Sequence, residues 1–172
     1  AMLGLKYSSP EGRRQAELIM KTIRDSAYLA SAILAREKGT FKYFDRDKYL
    51  AGEFIKRLPE NVREAIRENG IHNSHLISIA PTGTLSVIAN NVSSGVEPIF
   101  SLSYKRRVKV SSDSIRGDQF EEYEVMDYAY RLYRELKGDG PIPSYFETAY
   151  DIRPEDHLEM LKAVRYYVDS SV

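Results

Sequence analysis

The sequence contains no cysteine and only three histidines among its 172 residues. The absence of cysteine excludes disulfides, thiolate metal sites and thiol chemistry within this chain, although it leaves the cellular compartment open. His72 and His75 form an H-x-x-H pair, but the sequence offers no third ligand at a spacing typical of metal sites. We therefore predict that the chain holds no metal.

The chain also lacks an excess of charge of either sign, because 25 basic residues balance 25 acidic ones. No overall field favours nucleic acid or an acidic membrane surface, so neither is expected as a partner. The opening AMLGLKYSSPEGRR has no basic end followed by an apolar run, which argues against a signal peptide and makes the cytoplasm the expected location. The length fits one unit, residues 1–172, that is a domain or part of a larger one.

A third absence is local: Leu76 to Val96 holds no charged residue, whereas 29% of the whole chain is charged. The stretch is long enough for a membrane helix, but its proline, glycines, asparagines and hydroxyl residues make it too polar to insert. Ile77 and Ile79 alternate as in a strand, and Leu85, Ile88 and Ala89 follow at helical spacing. We predict a strand at about 75–80, a tight turn and a short helix.

Such a turn suits an anion, because the first amides of a helix have no partner within the helix and the dipole there favours negative charge. Gly83 would let a ligand approach the backbone, and Thr82, Thr84 and Ser86 carry hydroxyls that can donate to phosphate oxygens. The alternative is an ordinary capped turn, with Thr82 or Thr84 as N-cap. The G-x-x-x-x-G-K-[ST] pattern is missing, so spacing alone leaves both interpretations open.

The rest of the chain reads as helix-rich α/β. A long helix is expected from Pro10 to Gly39, a short helix within 41–58, and a helix between Pro59 and Gly70. A strand is expected at 102–110, followed by a flexible charged stretch at about 111–118. Further helices are predicted at 119–137, with a stripe through Val125, Ala129, Leu132 and Leu136, and from Pro154, with Leu158, Leu161, Val164 and Val168 inward.

Residues 80–108, APTGTLSVIANNVSSGVEPIFSLSYKRRV, resemble the substrate-phosphate loop and following strand of the large chain of ribonucleotide reductases, most closely the adenosylcobalamin-dependent class II members. The order P-T-G-T, N-N, S-G-V-E-P and Y-K-R-R-V is specific. The resemblance covers nearly the whole chain. The flanking segments that also agree with that family are LGLKYSSPEG, TIRDSAYLASAILAREKGTF, FIKRLP, GIHNSHL and DHLEMLKAVRYYVDSS.

The resemblance implies a fragment of a ten-stranded α/β barrel that reduces ribonucleotides to 2′-deoxyribonucleotides through a cysteine thiyl radical. Adenosylcobalamin would generate that radical in the complete enzyme and would not be bound by this fragment alone. Leu85 stands where class I members have a hydroxyl residue, and Asn90, Asn91 and Glu97 are expected to be structural, with Glu97 anchoring the loop or pairing with Arg106 or Arg107. The implied substrate-binding residues are Ala80, Pro81, Thr82, Gly83, Thr84 and Ser86.

The same family requires cysteines that this chain does not contain, so no catalytic residue is assigned and the isolated chain is expected to be inactive. The expected partners are a ribonucleoside di- or triphosphate and the remainder of a reductase chain that carries the cysteines. Unpaired edges of the strands at 75–80 and 102–110 would allow the isolated chain to form a homodimer. One alternative is a non-catalytic relative that acts as a nucleotide-binding or regulatory module, and another is a helical scaffold whose loop is only a turn.

Overall fold

The computed structural model describes residues 1–113 and 117–170. Its helices and strands are, in chain order, α1 (Pro10–Lys38), α2 (Arg46–Leu50), a 3-10 turn (Ile55–Arg57), α3 (Glu60–Asn69), α4 (Gly83–Ile88), β1 (Ser103–Asp113), β2 (Gly117–Met126), α5 (Tyr128–Lys137) and α6 (Pro154–Arg165). The chain divides into two compact units. The first consists of Ala1–Arg13 and Pro81–Met160, and the second of Arg14–Ala80 and 161–170. In the part of the chain that is described, no helix combines the length and apolarity needed to cross a membrane.

The core of the second unit forms where α1 meets α3 and the segment between them. Tyr28 and Ala32 of α1 pack with Val62 and Ile66 of α3, and all four side chains are buried. The aromatic rings of 41–54 cover this cluster, so the predicted connecting stretch is part of the hydrophobic core. The predicted boundaries of α1 and α3 are confirmed, since Gly39 and Gly70 follow their last residues with positive φ.

The strand predicted at about 75–80 is wrong. No strand is assigned there, because among the described residues no ladder partner lies beside this segment. The Asp169 carboxylate takes the place of a partner strand by accepting from the Leu76 and Ile77 amides at 2.8 and 3.0 Å. The buried Tyr28 hydroxyl donates to the same carboxylate at 2.5 Å. Burial raises the pKa of Tyr28, and this hydrogen bond raises it further. One side chain therefore satisfies backbone donors that a sheet would otherwise pair.

In the first unit, β1 and β2 form an antiparallel hairpin with Ser103 opposite Met126. The predicted strand at 102–110 is confirmed, but the helix predicted to begin at 119 is wrong as far as Met126. The register sets Lys105 opposite Glu124 and Arg107 opposite Glu122, and the Arg107 Nε to Glu122 Oε1 distance is 3.9 Å. Cross-strand charge pairs and aromatic residues favour the strand over the helical stripe.

The prediction of a flexible stretch at about 111–118 is wrong at both ends of that range, since β1 continues to Asp113 and β2 begins at Gly117. Residues 114–116 lie outside the described residues.

A single residue, Asp127, separates β2 from helix α5. Asp127 caps it by accepting from the Tyr130 amide at 3.0 Å. The predicted stripe is wrong at its two ends, because Val125 belongs to β2 and Leu136 is 71% exposed, whereas Ala129 and Leu132 are partly buried. Tyr130 and Tyr133 form the packed face, with ring centroids 5.9 and 5.4 Å from that of the buried Phe146.

Helix α6 has the predicted start at Pro154 but a rotated buried face. Val164 is buried as expected, whereas Leu158 is 63% exposed and Leu161 is 36% exposed. Val168 is buried too, but it lies beyond the end of α6 at Arg165. Met160 and Ala163 occupy the buried stripe instead. Two overlapping stripes satisfy the helical period here, so periodicity could not select between them.

The first 13 residues, which include the first turn of α1, pack within the first unit through polar side chains. Ser8 donates from its amide and hydroxyl to the Glu147 carboxylate at 2.9 and 2.7 Å, and Arg13 pairs with Asp156 at 3.7 Å. The half-buried Tyr7 donates to the Val96 carbonyl at 2.9 Å. Burial, with a smaller effect of the Glu97 charge, raises the pKa of Tyr7 from 10.0 to about 12. This bond ties the opening segment to the end of the uncharged stretch.

We predict that replacing Asp169 destabilises the chain more than replacing Tyr28. Asp169→Ala leaves two amides and one buried hydroxyl without an acceptor and should cost about 2–4 kcal/mol, whereas Tyr28→Phe removes one bond and should cost about 1–2 kcal/mol. The measurement is urea unfolding followed by circular dichroism. Asp139→Ala, at an exposed turn residue, is the control and should stay within about 0.5 kcal/mol of wild type. Equal losses for Asp139→Ala and Asp169→Ala would contradict the assigned role of Asp169.

We predict that Tyr7 stabilises the fold up to pH 10 and that this contribution declines as the pH rises toward about 12. Its folded pKa is raised, so ionisation is harder in the folded state and weakens it. The difference between the tyrosinate absorbance titrations of wild type and Tyr7→Phe should have its midpoint near pH 12. Tyr150→Phe, at a tyrosine that is 85% exposed, controls for the loss of one phenol and should leave stability unchanged. A midpoint for Tyr7 at or below pH 10 would show that the hydroxyl is not buried.

Candidate functional site

The candidate site is the turn and helix within the uncharged stretch, where the predicted short helix is confirmed as α4. Its first helical bond runs from the Ser86 amide to the Thr82 carbonyl at 2.8 Å. The amides of Gly83, Thr84 and Leu85 precede that bond and have no helical acceptor. They are the groups that an anion would meet at this end of α4.

Two of the predicted hydroxyl ligands are used within the loop. Thr82 donates from its hydroxyl to the Ser94 carbonyl at 2.7 Å, and its amide donates to the same carbonyl at 2.9 Å. The Ser86 hydroxyl donates to the Val92 carbonyl. A hydroxyl has one hydrogen to donate, so these two side chains brace the loop while the exposed Thr84 hydroxyl has no acceptor among the described residues.

Gly83 is exposed and lies in open space. A Cβ built on it would meet no atom within 4 Å, and its φ is not positive. Neither backbone conformation nor packing therefore requires glycine at this position. Ala80 belongs to the second unit and Pro81 to the first; both are exposed, and Pro81 has no amide hydrogen to donate.

The loop after α4 turns through two asparagines in the left-handed region, Asn90 with φ 65° and Asn91 with φ 64°. Asparagine tolerates this conformation better than most residues, which explains the N-N pair in the motif. The Asn91 amide donates to the Ser86 carbonyl at 2.7 Å, and its side-chain Nδ2 donates to the Met126 carbonyl at 3.1 Å. Asn91 thus joins α4 to the end of β2.

Two residues of β1 extend these contacts. Tyr104 donates from its hydroxyl to Asn91 Oδ1 at 3.1 Å, and Arg106 Nη2 donates to the Tyr104 hydroxyl at 3.2 Å. The sequence alone does not predict this relay, which consists of Arg106, Tyr104, Asn91 and the Met126 carbonyl. Its only signal was the strand alternation that puts Tyr104 and Arg106 on one face of the hairpin and Lys105 and Arg107 on the other.

The relay borders two cavities in the first unit. One cavity of about 260 Å³ is lined by Gly83 and Ser86 as well as Asn91 and Arg106. The other, of about 520 Å³, is lined by Asn91, Arg106 and Arg131. The expected ion pair of Glu97 with Arg106 or Arg107 is absent from the residues described; the Glu97 carboxylate lies against Gly95, and its carbonyl accepts from Ser93.

A metal-binding arrangement is not found in the described part of the chain, where no three His, Asp or Glu side chains cluster. His72 Nδ1 lies 2.7 Å from the Gly39 carbonyl, and His75 Nδ1 lies 3.2 Å from the Ser74 hydroxyl. The first of these histidines therefore fixes a turn of the second unit.

Comparison with known proteins agrees with the loop motif. The family model described as ribonucleotide reductase, barrel domain, matches residues 1–172. A vitamin B12-dependent ribonucleoside-diphosphate reductase of Mycobacterium tuberculosis is 29% identical over 100% of this chain and 24% of its own length. The enzyme of the same name from Thermoplasma acidophilum is 32% identical over 99% of this chain and 22% of its own length.

A more distant relative is the ribonucleoside-diphosphate reductase 1 subunit alpha of Escherichia coli, which is 25% identical over 98% of this chain and 22% of its own length. The chain thus spans about a quarter of the length of the curated relatives it matches. Because the family model covers every residue, the chain belongs to the ribonucleotide reductase barrel-domain family.

Proposed function

We propose that this chain is the substrate-phosphate-binding portion of a ribonucleotide reductase, an oxidoreductase that converts ribonucleotides to 2′-deoxyribonucleotides by radical chemistry. The family match supports the reaction, and the open space at Gly83 is the observation that carries the phosphate site. The helix-rich chain with its hairpin would be a fragment of the ten-stranded barrel. The cysteines that the reaction needs would come from the remainder of the reductase chain, which is the first proposed partner.

The proposed substrate is a ribonucleoside diphosphate, because the relatives described above are named diphosphate reductases. Its phosphate oxygens would accept hydrogen bonds from the amides of Gly83, Thr84 and Leu85 and from the Thr84 hydroxyl. Thr82 and Ser86 would act by holding the loop that carries these donors, since their own hydroxyls donate to Ser94 and Val92. Bonds of this kind to a charged acceptor are among the stronger ones in proteins.

The absence of charge in the loop fits this role. A lysine or arginine side chain within the turn could bind a nearby carboxylate or carbonyl instead of the phosphate. The helix, by contrast, fixes the direction of the backbone amides. The free amides and the helix dipole would neutralise only part of the phosphate charge, because a helix N-terminus is equivalent to roughly half a positive elementary charge. A site of this type would bind phosphate through the positions of its amide donors.

The cofactor of the complete enzyme would be adenosylcobalamin, in line with the vitamin B12-dependent relatives. It supplies the radical when bound. The residues that hold it would belong to the rest of the reductase chain. The contribution of this chain is to bind and orient the phosphates.

The test is calorimetric titration of a ribonucleoside diphosphate into the complete reductase chain and its Gly83→Val variant. The branched side chain would project into the space proposed for phosphate and should weaken binding by about tenfold to a hundredfold, equivalent to the loss of one or two charge-assisted bonds. Because a Cβ at Gly83 meets no atom within 4 Å, the melting temperature should not fall.

Gly140→Val is the matched control, since Gly140 also lies in open space in the first unit and has no positive φ. It should leave affinity unchanged. Equal affinities of wild type and Gly83→Val would exclude the turn as the phosphate site. Diphosphate binding without any deoxyribonucleotide formation, in a chain that carries the cysteines, would favour a non-catalytic nucleotide-binding or regulatory module.

A further inference from the structure

Helix α4 has no apolar anchor. None of its residues is buried, and its large side chains face outward, with Leu85 61% and Ile88 74% exposed. A helix of six residues is also too short to be stable alone in water. Hydrogen bonds from the loop around it must therefore determine its direction, and with it the direction of its first amides.

Asn91 provides the bonds that connect α4 to the hairpin. Its backbone amide donates to Ser86 of α4, and its side chain contacts both strands, β1 through Tyr104 and β2 through the Met126 carbonyl. The bonds of Thr82 and Ser86 stay within residues 82–94 and close the loop on itself. Among the described residues, the side chain of Asn91 is therefore the polar link from this loop to both strands.

The relay has one direction, and Arg106 sets it. A guanidinium can only donate, so the Tyr104 hydroxyl accepts from Arg106 and turns its own hydrogen toward Asn91. The Asn91 carbonyl oxygen then faces Tyr104, which leaves the amide nitrogen facing the Met126 carbonyl. An acceptor at that nitrogen would meet the carbonyl oxygen and repel it, so the site distinguishes asparagine from aspartate.

We propose that Asn91 is a positioning residue for the substrate phosphates: held by Tyr104 and Arg106, it sets the direction of α4 and of the amides at Gly83 to Leu85. The inference rests on the proposed function, because those amides are the proposed phosphate donors. Asn91 itself does not touch the substrate. Its effect reaches the phosphates through α4, whose Ser86 carbonyl it binds.

The experiment measures the affinities of a ribonucleoside monophosphate and diphosphate for the complete reductase chain. Asn91→Asp keeps the acceptor for Tyr104 but loses the donor to Met126, and Asn91→Gly keeps the left-handed backbone while removing both side-chain bonds. In both variants the misdirected amides should lower the diphosphate-to-monophosphate affinity ratio by about fivefold to tenfold. Tyr104→Phe should lower the affinity ratio less, because the new ring can keep the packing against Phe100, whose ring centroid lies 4.8 Å from that of Tyr104.

A purely structural role would be distinguishable, since partial unfolding reduces both affinities by one factor and leaves their ratio unchanged. Tyr123→Phe, on the other strand of the hairpin and 49% exposed, is the matched control and should leave the ratio at the wild-type value. An unchanged ratio in Asn91→Gly, with binding still lost in Gly83→Val, would overturn the role of Asn91 alone. Unchanged binding in Gly83→Val would overturn the phosphate site and this inference together.

Discussion

The hydrogen bonds that close residues 82–94 are the constraint on which the candidate site depends. The Ser94 carbonyl accepts twice from Thr82, and the Val92 carbonyl accepts from Ser86. Helix α3 is held in place by a buried hydrophobic face, whereas α4 buries no side chain and is held by these hydrogen bonds. Small hydroxyl residues suit this task because they reach nearby carbonyls and lose little rotamer freedom. The uncharged composition therefore has a structural cause as well as the proposed functional one.

The sequence predicted best the elements whose limits are set by local chemistry. Helices α1 and α3 were predicted because Pro10, Gly39 and Gly70 mark ends that depend on neighbouring residues alone. The residue pattern at 119–126 favours a helix, although the strand found there depends on its pairing with Lys105 and Arg107 across the hairpin. The segment at 75–80 has the composition of a strand, but its amides bind Asp169, which is more than 90 residues away. Non-local partners of this kind leave no periodic signal.

The candidate site shows the same division. The motif at 80–86 pointed to the turn, the short helix and the glycine, all of which are local. It did not show that the Thr82 and Ser86 hydroxyls would be used by the loop, because their acceptors depend on how residues 92–94 fold back. Nor did it show the relay from Arg106 to Asn91, which requires the path of β1 past the turn. The residue types indicate what kind of site this loop could form. The directions of the hydrogen bonds show which hydroxyls brace the loop and which donors are free.

Two glycines separate the demands of the fold from those of a ligand. Gly70 has φ 75°, and a Cβ there would collide with the Thr40 side chain and approach Phe44, so the fold alone accounts for it. Gly83 has neither property, and glycine in a helix costs about 0.5–1 kcal/mol relative to alanine. Among the residues that the structure describes, no atom within 4 Å of a Cβ at this position offsets that cost. A phosphate lying against the backbone would offset it, because the atoms that alanine or valine would add occupy the same space.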